Sequence, residues 1–202
     1  MRYSSRIILV LTAALASTGT CRAARAESNF AAPTKVDRAV READAVLARD
    51  PRDAKAFYNR GTAYLEKGDF DAAIKDLSEA IALEPAAADA YYNRGLSYRR
   101  KNRIDEAIAD YTKAIELHPE QYGYYINRCN AYIVKEDYDR AIADASKAIE
   151  LVPQDPAAYF LRGLAEMLKG DKPAALADAD KALELDPEYP DALRLKEEAG
   201  GL

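Results

Sequence analysis

Histidine, tryptophan and cysteine are nearly missing from this sequence. Its 202 residues hold one His, no Trp and two Cys. That excludes a zinc centre built on a Cys/His cluster and any framework of disulfides. Glycine is scarce, nine in all, and no glycine-rich phosphate loop, Gly-x-Ser-x-Gly elbow or Walker-type stretch occurs. Positive charge is not in excess: 29 basic residues face 34 acidic ones, for a net charge of −5. This argues against a general nucleic-acid or anionic-membrane surface. Carboxylates are plentiful, but the pattern puts them on solvated helix faces, with no isolated apolar-walled pair of the kind acid–base catalysis uses. No enzyme activity, cofactor or metal is expected. What is present in quantity is alanine, which with few Gly and no Trp points to helix rather than sheet.

The N-terminus reads as a leader. Arg2 and Arg6 precede the apolar run Ile7–Ala16, which is too short to span a bilayer as a helix. Ala24-Arg25-Ala26 fits the small-x-small rule for signal-peptide cleavage. We expect a signal peptide over 1–26, a cut after Ala26, and a mature chain without a membrane span in the periplasm or outside the cell. A cut after Ala16 is the alternative. Cys21 raises lipid anchoring, but Thr20 and Thr18 occupy positions where a lipobox wants a small residue and Leu. Cleavage after Ala26 leaves Cys129 as the only thiol, so packing alone must hold the chain together.

The main signal is a period. Arginines at 60, 94, 128 and 162 are 34 residues apart. Prolines at 51, 85, 119, 153 and 187 keep the same step, as do alanines at 73, 107, 141 and 175 and at 80, 114, 148 and 182. Each unit carries two amphipathic patterns of helical length. In 54–67, Phe57, Gly61 and Tyr64 share one face. In 70–83, Ile74, Leu77 and Ile81 share another. Gly68-Asp69 breaks the first helix and caps the second, and Pro85 ends it. One such pair cannot bury its apolar face, but a stack can.

These columns resemble the tetratricopeptide repeat family. Phe57, Tyr91, Tyr125 and Tyr159 take its aromatic position. Gly61, Gly95, Cys129 and Gly163 take the small one, and Tyr64, Tyr98 and Tyr132 follow, with Glu166 departing. The resemblance implies an all-α, right-handed α–α superhelix of four repeats: 54–87, 88–121, 122–155 and 156–189. A linker (27–34) and a capping helix (35–51) precede them, and a capping helix (190–199) follows. Thr34-Lys35-Val36-Asp37 reads as a capping box.

The resemblance also implies a concave groove for a protein or peptide. Asn59, Asn93 and Asn127 lie one repeat apart. Similar families use such an amide ladder to hold a peptide backbone, and the other reading is a hydrogen bond to the neighbouring repeat. Tyr58, Tyr92, Ile126 and Phe160 would give selectivity, with an apolar repeat-four surface of Leu161, Leu164 and Met167 that could also join copies of the chain. The co-chaperone carboxylate clamp lacks its basic members, since Tyr58, Thr62, Gly123 and Asn127 stand in the flanking slots. Capture of an acidic C-terminus is therefore not expected. Arg60, Arg94, Arg128 and Arg162 each have an Asp 16 residues on, at 76, 110, 144 and 178, and read as structural ion pairs. Cys129 reads as a buried space-filler and His118 as a solvated turn residue. The function expected is a binding scaffold, with a structural subunit of an envelope assembly as the alternative.

Overall fold

A computed structural model describes residues 34–200. The proposed signal peptide, its cleavage sites and Cys21 lie outside the described residues. Among the described residues ten α-helices follow one another: α1 (Lys35–Leu47), α2 (Ala54–Lys67), α3 (Phe70–Leu83), α4 (Ala88–Arg100), α5 (Ile104–Leu117), α6 (Tyr122–Val134), α7 (Tyr138–Leu151), α8 (Pro156–Lys169), α9 (Lys172–Leu185) and α10 (Pro190–Gly200). There is no strand among the described residues.

Local chemistry sets the ends. Thr34 and Asp37 form the expected capping box on α1, with the Asp37 amide donating to Thr34 Oγ1 at 3.1 Å and the Thr34 amide to Asp37 Oδ2 at 3.2 Å. Asp53, Asp69, Asp137, Asp155 and Asp171 cap later helices by accepting a backbone N–H. Gly68 and Gly170 close α2 and α8 in the left-handed region, at φ 82° and 105°. Asn102 and Glu136 hold the equivalent turns at φ 59°. The second helix of each pair stops at Glu84, His118, Val152 and Asp186, the residues before the periodic prolines.

Each helix packs on its neighbours in sequence. Beyond that, α2 touches α4, α4 touches α6, α6 touches α8 and α8 touches α10, whereas the odd-numbered helices touch one another nowhere. The even helices are the inner row and the array bends toward them. The result is the all-α solenoid expected from the period.

Small residues permit this spacing. Ala73, Ala107, Ala141 and Ala175 are wholly buried, and so are Ala114, Ala148 and Ala182. A Cβ on Gly61 would stand 2.8 Å from Leu77 Cγ, and one on Gly95 2.8 Å from Tyr111 Cε1. Volume is exchanged across this contact. Where the first helix carries the larger Cys129, the facing helix carries Ala145 in the same cluster. Burial pushes the Cys129 thiol up to about 12, as fits a filler and not a nucleophile.

Gly95→Ala should therefore destabilise the protein by about 1–3 kcal/mol in urea melts, overpacking outweighing the better helix former. Gly123, whose added Cβ meets nothing nearer than the Tyr92 hydroxyl at 3.8 Å, gives the control. Gly123→Ala should stabilise by roughly 0.5–1 kcal/mol. Cys129 should resist a thiol reagent at neutral pH in the native protein and react fully in denaturant.

Candidate functional site

The arginine column ties three helices at a time. Arg60 Nε and Nη2 donate to Asp76 at 2.6 and 2.9 Å. Arg94 reaches Asp110 with both distances at 2.8 Å, Arg128 reaches Asp144 likewise, and Arg162 reaches Asp178 at 2.8 and 2.7 Å. These are forked pairs within one helix pair, and the carboxylates are buried. The third nitrogen, Nη1, reaches back to the previous unit: Asp44 at 2.6 Å, Ser78 at 2.9 Å, Thr112 at 3.0 Å and Ser146 at 3.4 Å. Ser78 and Thr112 donate their own protons to the carbonyls of Ile74 and Ile108, which leaves their lone pairs for the guanidinium. The bonds to Asp110 and Asp178 push the Arg94 and Arg162 guanidinium values up. With every nitrogen spent, this row is no open anion site.

The asparagine column faces along the array. Asn93 Nδ2 donates to Thr62 Oγ1 at 3.1 Å and Tyr58 Oη at 3.4 Å. Asn127 Nδ2 donates to Tyr92 Oη and the Gly123 carbonyl, both at 2.9 Å. Their NH2 groups thus tie each inner helix to the one before or to its own backbone. Asn59 has no such helix before it among the described residues. It is exposed and lines a cavity of about 500 Å3 against α1, with Tyr58, Thr62, Glu66, Val36, Ala39 and Val46.

The same direction explains Leu161, which corrects its expected place on the open surface. Leu161 occupies the asparagine column and is 6% exposed, packed with Cys129, Tyr132 and Ala165. Leu195 repeats this one helix on, buried against Ala175 and Ala179. Phe160 and Met167 pack against that last cluster, and Phe160 meets Tyr189 edge-on with ring centroids 5.8 Å apart. Helix α10 therefore covers part of the apolar repeat-four surface. Leu164 stays half-buried. Leu168 and, one repeat earlier, Val134 remain exposed.

At the centre, Tyr92 lies between Tyr111 and Tyr124, ring centroids 5.9 and 4.8 Å away. Tyr124 donates to Asp89 Oδ1 at 2.5 Å, and burial first, then that carboxylate, raises its hydroxyl pKa. Tyr58 is half-buried, and Ile126 packs between the clusters of Cys129 and of Tyr125. One further column, and one further member of the arginine column, escaped the sequence reading. Lys67, Lys101, Lys135 and Lys169 pair with Asp37, Asp71, Asp105 and Asp139 across successive units. Lys196 continues the arginine column and meets Asp180 at 2.7 Å. Both keep the 34-residue step, which is the signal that could have found them.

A curved array of helix pairs with an open inner row and no catalytic constellation among its described residues defines a helical-repeat protein. The sequence model described as Tetratricopeptide repeat matches residues 34–76, 58–122 and 128–190, and the chain belongs to that family. No curated protein matches the chain. Among solved structures it is similar to MamA, with 29% identity, a TM-score of 0.73, and coverage of 76% of this chain and 90% of that one. It is similar in fold to YrrB, a TPR protein with an unusual peptide-binding site, at 22% identity, TM-score 0.74, and 81% and 84% coverage. It is also similar to the first TPR of Spaghetti (RPAP3) bound to HSP90 peptide SRMEEVD, at 27% identity, TM-score 0.55, and 56% and 90% coverage.

Replacing Arg128 with Met strands the buried Asp144 carboxylate and should cost about 3–5 kcal/mol in chemical denaturation. Arg128→Met with Asp144→Leu should recover most of that loss, because the cost lies in the orphaned charge.

Proposed function

We propose that the protein is an exported, non-enzymatic scaffold that holds a peptide or protein segment on its inner row of helices in the cell envelope. The observation that carries this reading is the inner face, most of which no other described residue covers. It runs from the cavity at Tyr58 and Asn59, past Tyr92, Asn93, Ile126 and Asn127, to Leu164, beyond which α10 covers Phe160 and Met167. The amide hydrogens of Asn93 and Asn127 are spent, so their carbonyl oxygens are the groups left to accept from a peptide N–H. Asn59 keeps both functions. A preformed array means that little ordering cost falls on the receptor. The similar Spaghetti domain, bound to a peptide, supports a peptide as the ligand. The leader-like N-terminus supports export.

The second reading is a structural subunit of an envelope assembly. Val134 (56% exposed) and Leu168 (37%) favour it, as apolar residues one repeat apart that no other described residue covers fully.

Affinity capture from envelope extract separates the two. The scaffold reading expects a monomer that retains an envelope protein, with recovery reduced severalfold by Asn59→Ala. A stable homo-oligomer that captures nothing, dispersed by Val134→Lys with Leu168→Lys, would favour the assembly.

A further inference from the structure

The four helix pairs are near-copies, so a coordinated departure from the pattern is informative. Two occur together between α4 and α6. The column of Leu77, Ala145 and Ala179 holds Tyr111 on α5. The column of Leu65, Ile133 and Met167 holds Arg99 on α4. Two polar groups thus stand in two otherwise apolar columns.

They meet. Tyr92, Leu96 and Arg99 succeed one another along one face of α4 at turn spacing. Tyr111 passes beneath that face through the gap that Gly95 leaves, packed with Leu96 and with Tyr92. The Arg99 charge acts on the hydroxyls of both Tyr111 and Tyr92, opposing the rise that burial causes. Yet Tyr111 Oη and Arg99 Nε are buried with no hydrogen bond of good geometry, although Arg99 stands near enough for a loose one to act on the Tyr111 hydroxyl, and no other buried side-chain polar atom among the described residues shares that state. Tyr111 itself is wholly buried.

Among the described residues nothing offers Arg99 a counter-ion. Helix α6, the opposite wall, contains no Asp or Glu. The one acid of α4, Asp89, accepts from Tyr124. On α5, Asp105, Glu106, Asp110 and Glu116 are held by Lys135, Arg103, Arg94 and Lys113. Glu66 of α2 makes no ion pair with it. The buried Nε–H of Arg99 and the buried Tyr111 hydroxyl, each without a partner, are costly unless something draws them onto each other.

We propose that this place on the inner face takes the side-chain carboxylate of an Asp or Glu in a bound peptide. The carboxylate accepts from the outer nitrogens of Arg99, and Arg99 turns its Nε toward the Tyr111 hydroxyl beneath. This rests on the peptide-binding reading above and gives it a specificity. It differs from capture of a chain terminus, since the group recognised is a side chain within an extended segment, flanked by Tyr92 and Ile126.

Two matched heptapeptide pools, one with Asp fixed at the centre and one with Asn, test it by retention on the immobilised full chain. The native protein should enrich the Asp pool roughly tenfold over the Asn pool, the discrimination that one charged hydrogen-bonded pair supplies. Arg99→Met should abolish that preference while still retaining both pools. Tyr111→Phe, which removes only an unpartnered hydroxyl and keeps the packing, should reduce it severalfold without loss of helicity. Equal retention of both pools by the native protein overturns the carboxylate site and leaves the peptide groove standing. Retention of neither overturns both. A preference unchanged in Tyr111→Phe overturns the two-residue site. Following the Arg99 Nε–H signal during acetate titration separates the sources: saturation at sub-millimolar acetate means a free-anion site, and overturns the peptide reading of it.

Discussion

Every side-chain hydrogen bond or ion pair between two helices spans either 16 residues or 30 to 35. That restriction shapes the molecule. No residue of the array meets another more than about one unit away, so no single core exists and each interface must be adequate by itself. Alanine and glycine at the crossings let neighbouring helices approach closely enough for this. The arginine fork then links three helices with one side chain, joining the inside of a unit to its predecessor.

The inner row follows from the same rule. Even-numbered helices touch and odd-numbered ones do not, so curvature is set by the narrower spacing on one side. The face on that side cannot be covered by a distant segment of the array, because distant segments do not come back. An open concave surface is thus a by-product of local contacts. What varies along it is the side chains: amides in the first three units, leucine in the fourth and in the last helix.

The period made the helix pairs legible before any coordinates, as well as the partnership of Arg60 with Asp76 and its repeats. Both members of that pair are rare enough in their columns to stand out. The lysine column at 67, 101, 135 and 169 keeps equal register and went unnoticed, because charges on solvated faces are common and carry little contrast. The asparagine column was found, but not its direction. One residue along a helix turns the side chain about 100°, the difference between facing a groove and facing the next helix. Periodicity alone does not resolve that angle. Leu161 was the available hint, since an apolar residue in that column suits a contact better than a surface.

The residues that the arginine column and its terminal Lys196 reach back to also distinguish ends from middle. Ser78, Thr112 and Ser146 serve inside the array, whereas Asp44 and Asp180, each about half exposed, serve at its two extremities. A neutral hydroxyl suits a joint enclosed on both sides, and a full charge is tolerable only where water reaches it. Interior joints are therefore alike and interchangeable, while the termini are chemically marked. Over evolutionary time, a module could be duplicated or excised between them without remaking either boundary, so the reach of the cradle can change while its start and finish stay the same.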